Sequence, residues 1–404
     1  MDEAPEPARH MPLAGLTVID LGQIYNGPYC GFLLAMAGAD VIKVEQPGGE
    51  SLRRRGVVGG AALPFAMLNS NKRTVTLNLK TERGAELLKE MVRRADVLLE
   101  NFAPGALDRL GLGYSALKEV NPRLIYAQGS GYGLSGPNRD YPAMDITVQA
   151  MGGVMSVTGF PDRPPVKAGA ALADFFGGVH LYAALMTALY ERSRTGVGRM
   201  VEVSMQEAVY PSLASNLGLW YGSGGAVPPR TGNYHGGMAE CPYNVYPASD
   251  GHIAILCVTE AQWHTLLRAM GHAELINDPR FSGLKQRVAH MAEIDDMVSA
   301  FTSQHPKQEL FDTLIAQRVP CAPVRDLVEV VNDAHMHARR ALEWIDHPLL
   351  GRIVLPNSAL RFEGSEPMPI RPTGELGRDN AQVFGEWLGL GADEVERLTR
   401  DKVI

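Results

Sequence analysis

Short, wholly apolar runs alternate with helix-length stretches through the first third of this chain, and that pattern limits its fold more than any other feature. Residues 16–21 (LTVIDL) read as a buried strand, residues 29–37 as a helix stopped by Gly38, and residues 41–44 (VIKV) as a second strand. Residues 48–66 are polar and rich in arginine and read as a loop. Residues 74–79 then predict a strand, residues 81–94 an amphipathic helix, and residues 97–100 and 124–128 two further strands. Strands joined through helices predict a parallel sheet with helices on its faces.

At 404 residues the chain is too long for one simple core, so two domains are expected. Residues 143–221 read as mostly helical around a strand at 200–204, and residues 222–229 (GSGGAVPP) read as a linker. Beyond it, residues 243–247 and 252–258 predict antiparallel strands around an Asp250–Gly251 turn. Helices are expected near 260–270, 291–304 and 306–317, then a strand at 352–355 and a closing helix at 380–388. The resulting expectation is an α/β fold. A Rossmann-like parallel sheet lies in a large domain built from both chain ends, 1–225 and 328–404, with a smaller α+β domain inserted at 226–327.

The net charge of -7 argues against nucleic acid or an anionic membrane as main partner. Cys30, Cys241, Cys257 and Cys321 form no CxxC pair, so neither a disulfide framework nor a zinc site is expected, which fits a reducing cytoplasm. Residues 1–12 lack the basic and apolar regions of a signal peptide. The longest uncharged run, 208–229, holds Pro211, Ser212, Asn216 and several glycines, and is not read as a membrane span.

Gly131–Tyr–Gly133–Leu–Ser–Gly136 matches a dinucleotide-binding glycine pattern after a strand. The residues that follow, Pro137 to Pro142, are loop-forming, whereas a pyrophosphate site needs a helix N-terminus there. A structural or substrate-facing glycine loop is the expectation. No P-loop, HExxH or GxSxG is present, and the eleven histidines do not pair at ligand spacing, so no metal is expected. The segment around Asp174 carries more information. This carboxylate stands between an Ala/Leu-rich approach and an apolar helix, among Gly169, Ala170, Ala171, Ala173, Gly177 and Gly178. Two readings stay open on spacing alone: Asp174 caps the helix, or the small residues leave it open to a bulky substrate.

Several pieces of the chain, in order and spacing, resemble family III CoA-transferases of the CaiB/BaiF type. They are residues 13–20 (LAGLTVID), Gly27–Pro28, residues 38–45 (GADVIKVE), residues 69–73 (NSNKR), residues 100–105 (ENFAPG), Gly131–Tyr–Gly133, Asp145 ahead of Gly152–Gly153, Asp174, and Ser204–Met205–Gln206. The resemblance implies that Asp174 is the nucleophile, forming a mixed anhydride and then an aspartyl-CoA thioester, with no cofactor and no metal. Carboxylates need no general base and give acyl products as reactive as the substrates. CoA itself is a substrate, and the partners implied are an acyl-CoA, a carboxylic acid and a second copy of the chain in an interlocked homodimer.

The resemblance also implies CoA contacts. Tyr25 and Asn26 stand where the formyl-CoA type has a glutamine and a small residue. Asn78, Lys80, Asn101 and Phe102 match the adenine and pantetheine path, Arg109 matches a basic contact, and Asp145 and Met205 join the same set. Gln46 replaces a basic residue of the formyl-CoA type, and Arg53, Arg54 and Arg55 are either its substitutes or a solvated charge run. His235, Gly236 and Gly237, within residues 234–238, match the position of a mobile loop over the nucleophile or form a plain interdomain turn. This loop departs from the glycine-rich run of the formyl-CoA type. Arg139, Arg163 and Lys167 suggest a dicarboxylic acid substrate. The rival reading is an α-methylacyl-CoA racemase-like isomerase, which shares the Asp174 position. Met144 stands where such an enzyme has a histidine, and methionine cannot move a proton. A non-catalytic CoA-binding protein is the third reading.

Overall fold

The computed structural model describes residues 11–54 and 63–404. Contacts divide the chain into two compact units. The first takes in the described residues up to Val148, Ala171–Val209 and Asp333–Ile404, and the second takes in Gln149–Ala170 and Tyr210–Asn332.

The first unit is built on six parallel strands: β1 (Thr17–Asp20), β2 (Asp40–Glu45), β3 (Arg73–Thr76), β4 (Val97–Glu100), β5 (Ile125–Ser130) and β6 (Met200–Ser204). Their order in the sheet is β3-β2-β1-β4-β5-β6. β1 pairs with β2 at Val18–Val41 on one side and with β4 at Val18–Val97 on the other. β4 and β5 are buried throughout, as strands covered on both faces must be. This is the doubly wound order, in which the chain leaves the centre in one direction and later in the other. A crevice opens where the direction reverses, beyond the C-terminal ends of β1 and β4.

Helices α1 (Asn26–Met36), α2 (Ser51–Arg54), α3 (Leu63–Asn69), α4 (Glu82–Arg94) and α5 (Tyr114–Val120) follow in chain order. The segment expected as a loop at 48–66 therefore holds one short helix and the start of another. α4 begins where Thr81 Oγ accepts the Gly84 N–H, and its apolar stripe Leu87, Leu88, Met91 and Val92 is fully buried. That stripe joins one core with Ile19, Ile42, Val75 and Leu98. The chain end completes it: Val383 and Phe384 from a π-helical turn (Ala381–Trp387), Leu398, Val403 and Ile404. Asp379 and Asn380 also accept the backbone N–H groups of Thr74 and Thr76, which satisfies the free edge of β3.

Further on come α6 (Asp145–Met151), α7 (Val154–Val157), α8 (Leu172–Thr195) and α9 (Met205–Val209). α1 and α8 cover the second face of the sheet, burying Cys30, Leu34, Leu181 and Leu185 against Val18, Val41, Val97 and Ile125. Among the described residues α8 is the one helix long and apolar enough to cross a membrane. Its buried stripe packs on this sheet.

In the second unit, β7 (Tyr243–Ala248), β8 (Gly251–Leu256) and β9 (Cys321–Pro323) form an antiparallel sheet. Ala248 pairs with Gly251, so the turn residues are Ser249 and Asp250, one position earlier than the sequence suggests. The helices Glu260–Ala269, Met291–Thr302 and Lys307–Ala316 surround a core of Tyr246, Ile253, Trp263, Leu266, Ile294 and Leu314. Asp295 accepts from both Tyr246 Oη at 2.6 Å and Asn244 Nδ2 at 2.9 Å. In the first unit, Leu342–His347 and Gly351–Pro356 make an antiparallel hairpin, the helix expected at 380–388 is the π-helical turn Ala381–Trp387, and a further helix, Ala392–Arg400, follows it.

Candidate active site

A cavity of about 600 Å³ lies in the crevice that the strand order predicts. The β1–α1 turn contributes Gln23, Ile24 and Asn26, and the segment after β4 contributes Asn101, Phe102 and Arg109. Gly129 to Tyr132 at the end of β5, Arg139 to Met144, Asp174 and Met205 complete the wall. Five of the residues singled out with Asp174 from sequence, Asn26, Asn101, Phe102, Arg109 and Met205, therefore surround one space with it.

Asp174 is the third residue of α8 and is 8 % exposed. It does not cap the helix. The N-cap position is Ala171, which has no capping side chain, and the carboxylate of Asp145 does that work from outside the helix. Its Oδ1 accepts the N–H of Ala173 at 2.9 Å and that of Asp174 at 3.4 Å. Asp145 thus fixes the start of α8 and is not among the cavity-lining residues. No described residue hydrogen-bonds to the Asp174 carboxylate oxygens. Burial, reinforced by the nearby Asp145 charge, pushes the Asp174 carboxyl from 3.8 up to about 7.

The glycines beside Asp174 serve packing. A Cβ at Gly177 would stand 2.2 Å from Asn26 Nδ2 and 2.8 Å from Met205 Cγ, and one at Gly178 would stand 2.8 Å from the Asn26 carbonyl oxygen. They let the first turns of α1 and α8 touch, and Asn26 Nδ2 then donates to the Asp174 carbonyl at 3.3 Å. Gly177 and Gly178 thus bring two helix starts together, while a Cβ at Gly169 would meet nothing within 4 Å. In the glycine pattern after β5, a Cβ at Gly131 would meet the Ala143 side chain at 2.1 Å, Gly133 and Gly136 take φ of +90° and +80°, and no helix begins until Asp145.

A second cavity of about 500 Å³ shares Gln23 and Phe102 with the first. Asn78 and Lys80 line it, with Lys43, Gln46, Leu77, Leu107 and Lys402. Sequence reasoning missed Lys402, which reaches this space only because the chain end folds back beside Asn78, whose N–H donates to Val403 O at 2.7 Å. It also missed Gln23, Ile24, Ser130, Tyr132 and Tyr141. Tyr25 lines neither cavity; its ring stacks on Phe175 at 6.1 Å. Asn101 is committed to the protein: Oδ1 accepts the Gln23 N–H at 2.7 Å and Nδ2 donates to Gln23 O at 2.9 Å.

Arg53 is neither a substitute for Gln46 nor part of a solvated run. Its guanidinium binds the buried Glu45 carboxylate, with Nε–Oε2 and Nη2–Oε1 both at 2.8 Å, donates to Gly374 O at 3.0 Å and stacks over Phe65. Arg55 and the Arg54 side chain lie outside the described residues. Arg139 lines the first cavity, whereas Arg163 and Lys167 belong to the second unit, as does residues 234–238. There His235 Nδ1 accepts the Gly237 N–H, and its Nε2 lies 3.4 Å from Ser215 Oγ. No group of three His, Cys, Asp or Glu residues is placed to hold a metal among the described residues.

At the end of β4, Glu100 accepts the Phe102 N–H at 2.7 Å and the Tyr126 hydroxyl at 3.0 Å. Burial pushes its carboxyl up to about 7. The buried Asp174 carboxylate thus stands on the wall of the first of two adjoining cavities, whose walls carry Lys80, Lys402, Arg109 and Arg139.

Comparison with known proteins gives the chain its family. Residues 13–380 match the model of CoA-transferase family III. A formyl-CoA:oxalate CoA-transferase of Streptomyces avermitilis is 36% identical over 97% of this chain and 99% of its own length. The beta subunit of a succinyl-CoA–L-malate CoA-transferase of Chloroflexus aurantiacus is 36% identical over 98% of each chain. A crystal structure of a CaiB/BaiF family protein from Brucella suis superposes with a TM-score of 0.82 at 34% identity, covering 94% of this chain and 100% of that one. The chain belongs to CoA-transferase family III. It is an enzyme, a CoA-transferase.

Proposed function

We propose that this enzyme moves CoA from an acyl-CoA to a free carboxylic acid through covalent intermediates on Asp174. The observation that carries the reading is a buried carboxylate, free of hydrogen bonds from described residues, on the wall of a cavity of about 600 Å³ that shares Gln23 and Phe102 with a second of about 500 Å³. An Asp174 oxygen attacks the thioester carbonyl; a C–O bond forms, the C–S bond breaks, and CoA leaves as thiolate. The thiolate attacks the aspartyl carbonyl of the mixed anhydride, forming the aspartyl-CoA thioester and releasing the donor acid. The acceptor carboxylate attacks that thioester and expels the thiolate. Finally the thiolate attacks the acceptor acyl carbon, which yields the new acyl-CoA and restores Asp174. Each step exchanges one acyl bond for another, so no oxidant, metal or base enters the balance.

Desolvation suits the nucleophile, because an ion stripped of water holds its lone pairs less tightly and the anhydride is kept from hydrolysis. Lys80 and Lys402 are the cations available to CoA phosphates in the second cavity, and the pantetheine arm passes Gln23 and Phe102 toward Asp174. Arg109 faces the same route, and Arg139 is placed to meet a second carboxylate, which favours a dicarboxylic acid as donor or acceptor. Family relatives named for oxalate and malate are in keeping with this choice. The working form is proposed to be a homodimer in the cytoplasm. Phe176, Val179 and Tyr190 of α8 are 38%, 45% and 67% exposed, an apolar surface of the kind that a second copy covers.

The test is to incubate the enzyme with a panel of acyl-CoA donors and free acids and to read CoA esters by mass spectrometry. Acceptor acid appearing as its CoA ester, with donor acid released one for one, is expected. Hydrolysis without transfer across the panel would sink the reading.

A further inference from the structure

The turn from β1 into α1 supplies the wall common to both cavities, and its backbone is unusual. Ile24 has φ +63°, and among the described residues it is the only β-branched side chain in the left-handed region. Such a conformation persists only where the surroundings hold it, and it concentrates at functional sites. Two buried charged side chains hold it. Glu50, 4% exposed, accepts the Ile24 N–H at 2.8 Å through Oε1. Its Oε2 pairs with Lys43 Nζ at 2.9 Å, with both side chains almost wholly buried. Lys43 in turn donates to the carbonyl of Gly22, at the other end of the turn. A buried ion pair therefore grips residues 22–24 from both sides.

The pair belongs to a larger balanced set. Asp20 binds Lys72 at 2.7 Å, and Glu45 binds Arg53 at 2.8 Å while accepting the Glu50 N–H at 3.0 Å. Three acids face three bases with little solvent. Ion pairs buried this deeply are costly to desolvate and contribute little net stability.

We propose that Glu50 is a positioning residue for acyl-CoA, acting through Ile24: with Lys43 it holds the strained turn in the shape that lines the two cavities. Glu50 forms no bond in the reaction. Its effect is on where Gln23 and Ile24 stand when CoA enters, so it governs CoA affinity and leaves the chemistry at Asp174 intact. This inference rests on the CoA-transferase reading above.

The experiment measures CoA binding to the full-length enzyme by calorimetry, with CoA itself as probe, alongside kcat and KM for an active acyl-CoA. Glu50→Ala should weaken CoA binding about tenfold and raise KM equally, as loss of a hydrogen bond to a charged acceptor implies, with kcat nearly unchanged. Glu50→Gln keeps an acceptor for the Ile24 N–H and should restore most of the affinity. Should Glu50→Ala fail to fold, Glu50→Asp carries the test: it keeps the charge facing Lys43 but withdraws the acceptor from Ile24, and should also weaken CoA binding. A folded Ala or Asp variant with wild-type CoA affinity overturns the inference, as does equal loss of kcat in the Ala and Gln variants. Wild-type enzyme that binds no CoA would overturn the parent reading and this one with it.

Discussion

Replacing Asp174 by asparagine should make the protein more stable relative to wild type as pH rises. The side chain keeps its size and loses its charge. In the fold the Asp174 carboxyl titrates near 7, by burial first and by the Asp145 charge second, against 3.8 for an ordinary aspartate. A folded-state value above the unfolded one means that the folded protein binds the proton more tightly. The stability this contributes is complete below 3.8 and is lost as pH rises through 7. At about 1.4 kcal/mol per tenfold, the full cost of the buried charge is on the order of 4 kcal/mol, and roughly 2.5 kcal/mol of it falls between pH 5 and pH 8. Any fixed cost of burying the asparagine amide is the same at each pH and drops out of the slope. Urea unfolding of both proteins from pH 5 to pH 8 reads this directly: the variant's advantage should grow with pH. Parallel stability curves would refute the assignment of a desolvated carboxyl to this position.

The same titration should appear in catalysis, where kcat/KM is expected to fall below about pH 7 as Asp174 takes up its proton. Asp145→Asn keeps an oxygen for the α8 N–H groups and removes the neighbouring charge, so the acid limb should move to lower pH; an unmoved limb in a kcat/KM profile would show that Asp145 does not act on Asp174. Arg53→Ala should leave CoA affinity as it is while costing about 3 kcal/mol or more, because the buried Glu45 carboxylate loses its partner; calorimetry showing weakened CoA binding at unchanged stability would return Arg53 to the phosphate site. Met144 lines the cavity beside Asp174 and moves no proton, so the α-proton of a 2-methylacyl-CoA should not exchange in deuterated water above the blank rate; rapid uptake with loss of stereochemistry would favour the isomerase.

The parallel sheet is legible in the sequence because its strands are uninterrupted apolar runs, which only two-sided burial requires. β4 and β5 are buried at every position. The helix Ser51–Arg54 is not legible, since SLRR carries no apolar stripe, and Leu63–Asn69, though apolar, is only seven residues long and begins inside the stretch that reads as a loop. Arg53 is read as a free cation until the fold brings Glu45, eight residues away, and Gly374, 321 residues away, to its guanidinium. Asp174 resembles an N-cap because it starts a helix among small residues; what displaces it is Asp145, 29 residues earlier, which no local pattern links to that helix. Lys402 and the β3 edge contacts of Asp379 and Asn380 depend on the chain end returning to the first unit, a long-range closure that periodicity cannot express. The strain at Ile24 has no signature in the sequence, where a glycine or asparagine would have been the expected left-handed residue.

The central claim is that Asp174 becomes acylated and then carries CoA. The most direct measurement supplies donor acyl-CoA without acceptor, traps the enzyme with hydroxylamine, digests it and locates the modified peptide by mass spectrometry. A hydroxamate on Asp174, absent from the Asp174→Asn protein together with several orders of magnitude of transfer activity, is the predicted result. Modification at another carboxylate, or an Asp174→Asn protein that folds and keeps most of its activity, would contradict it.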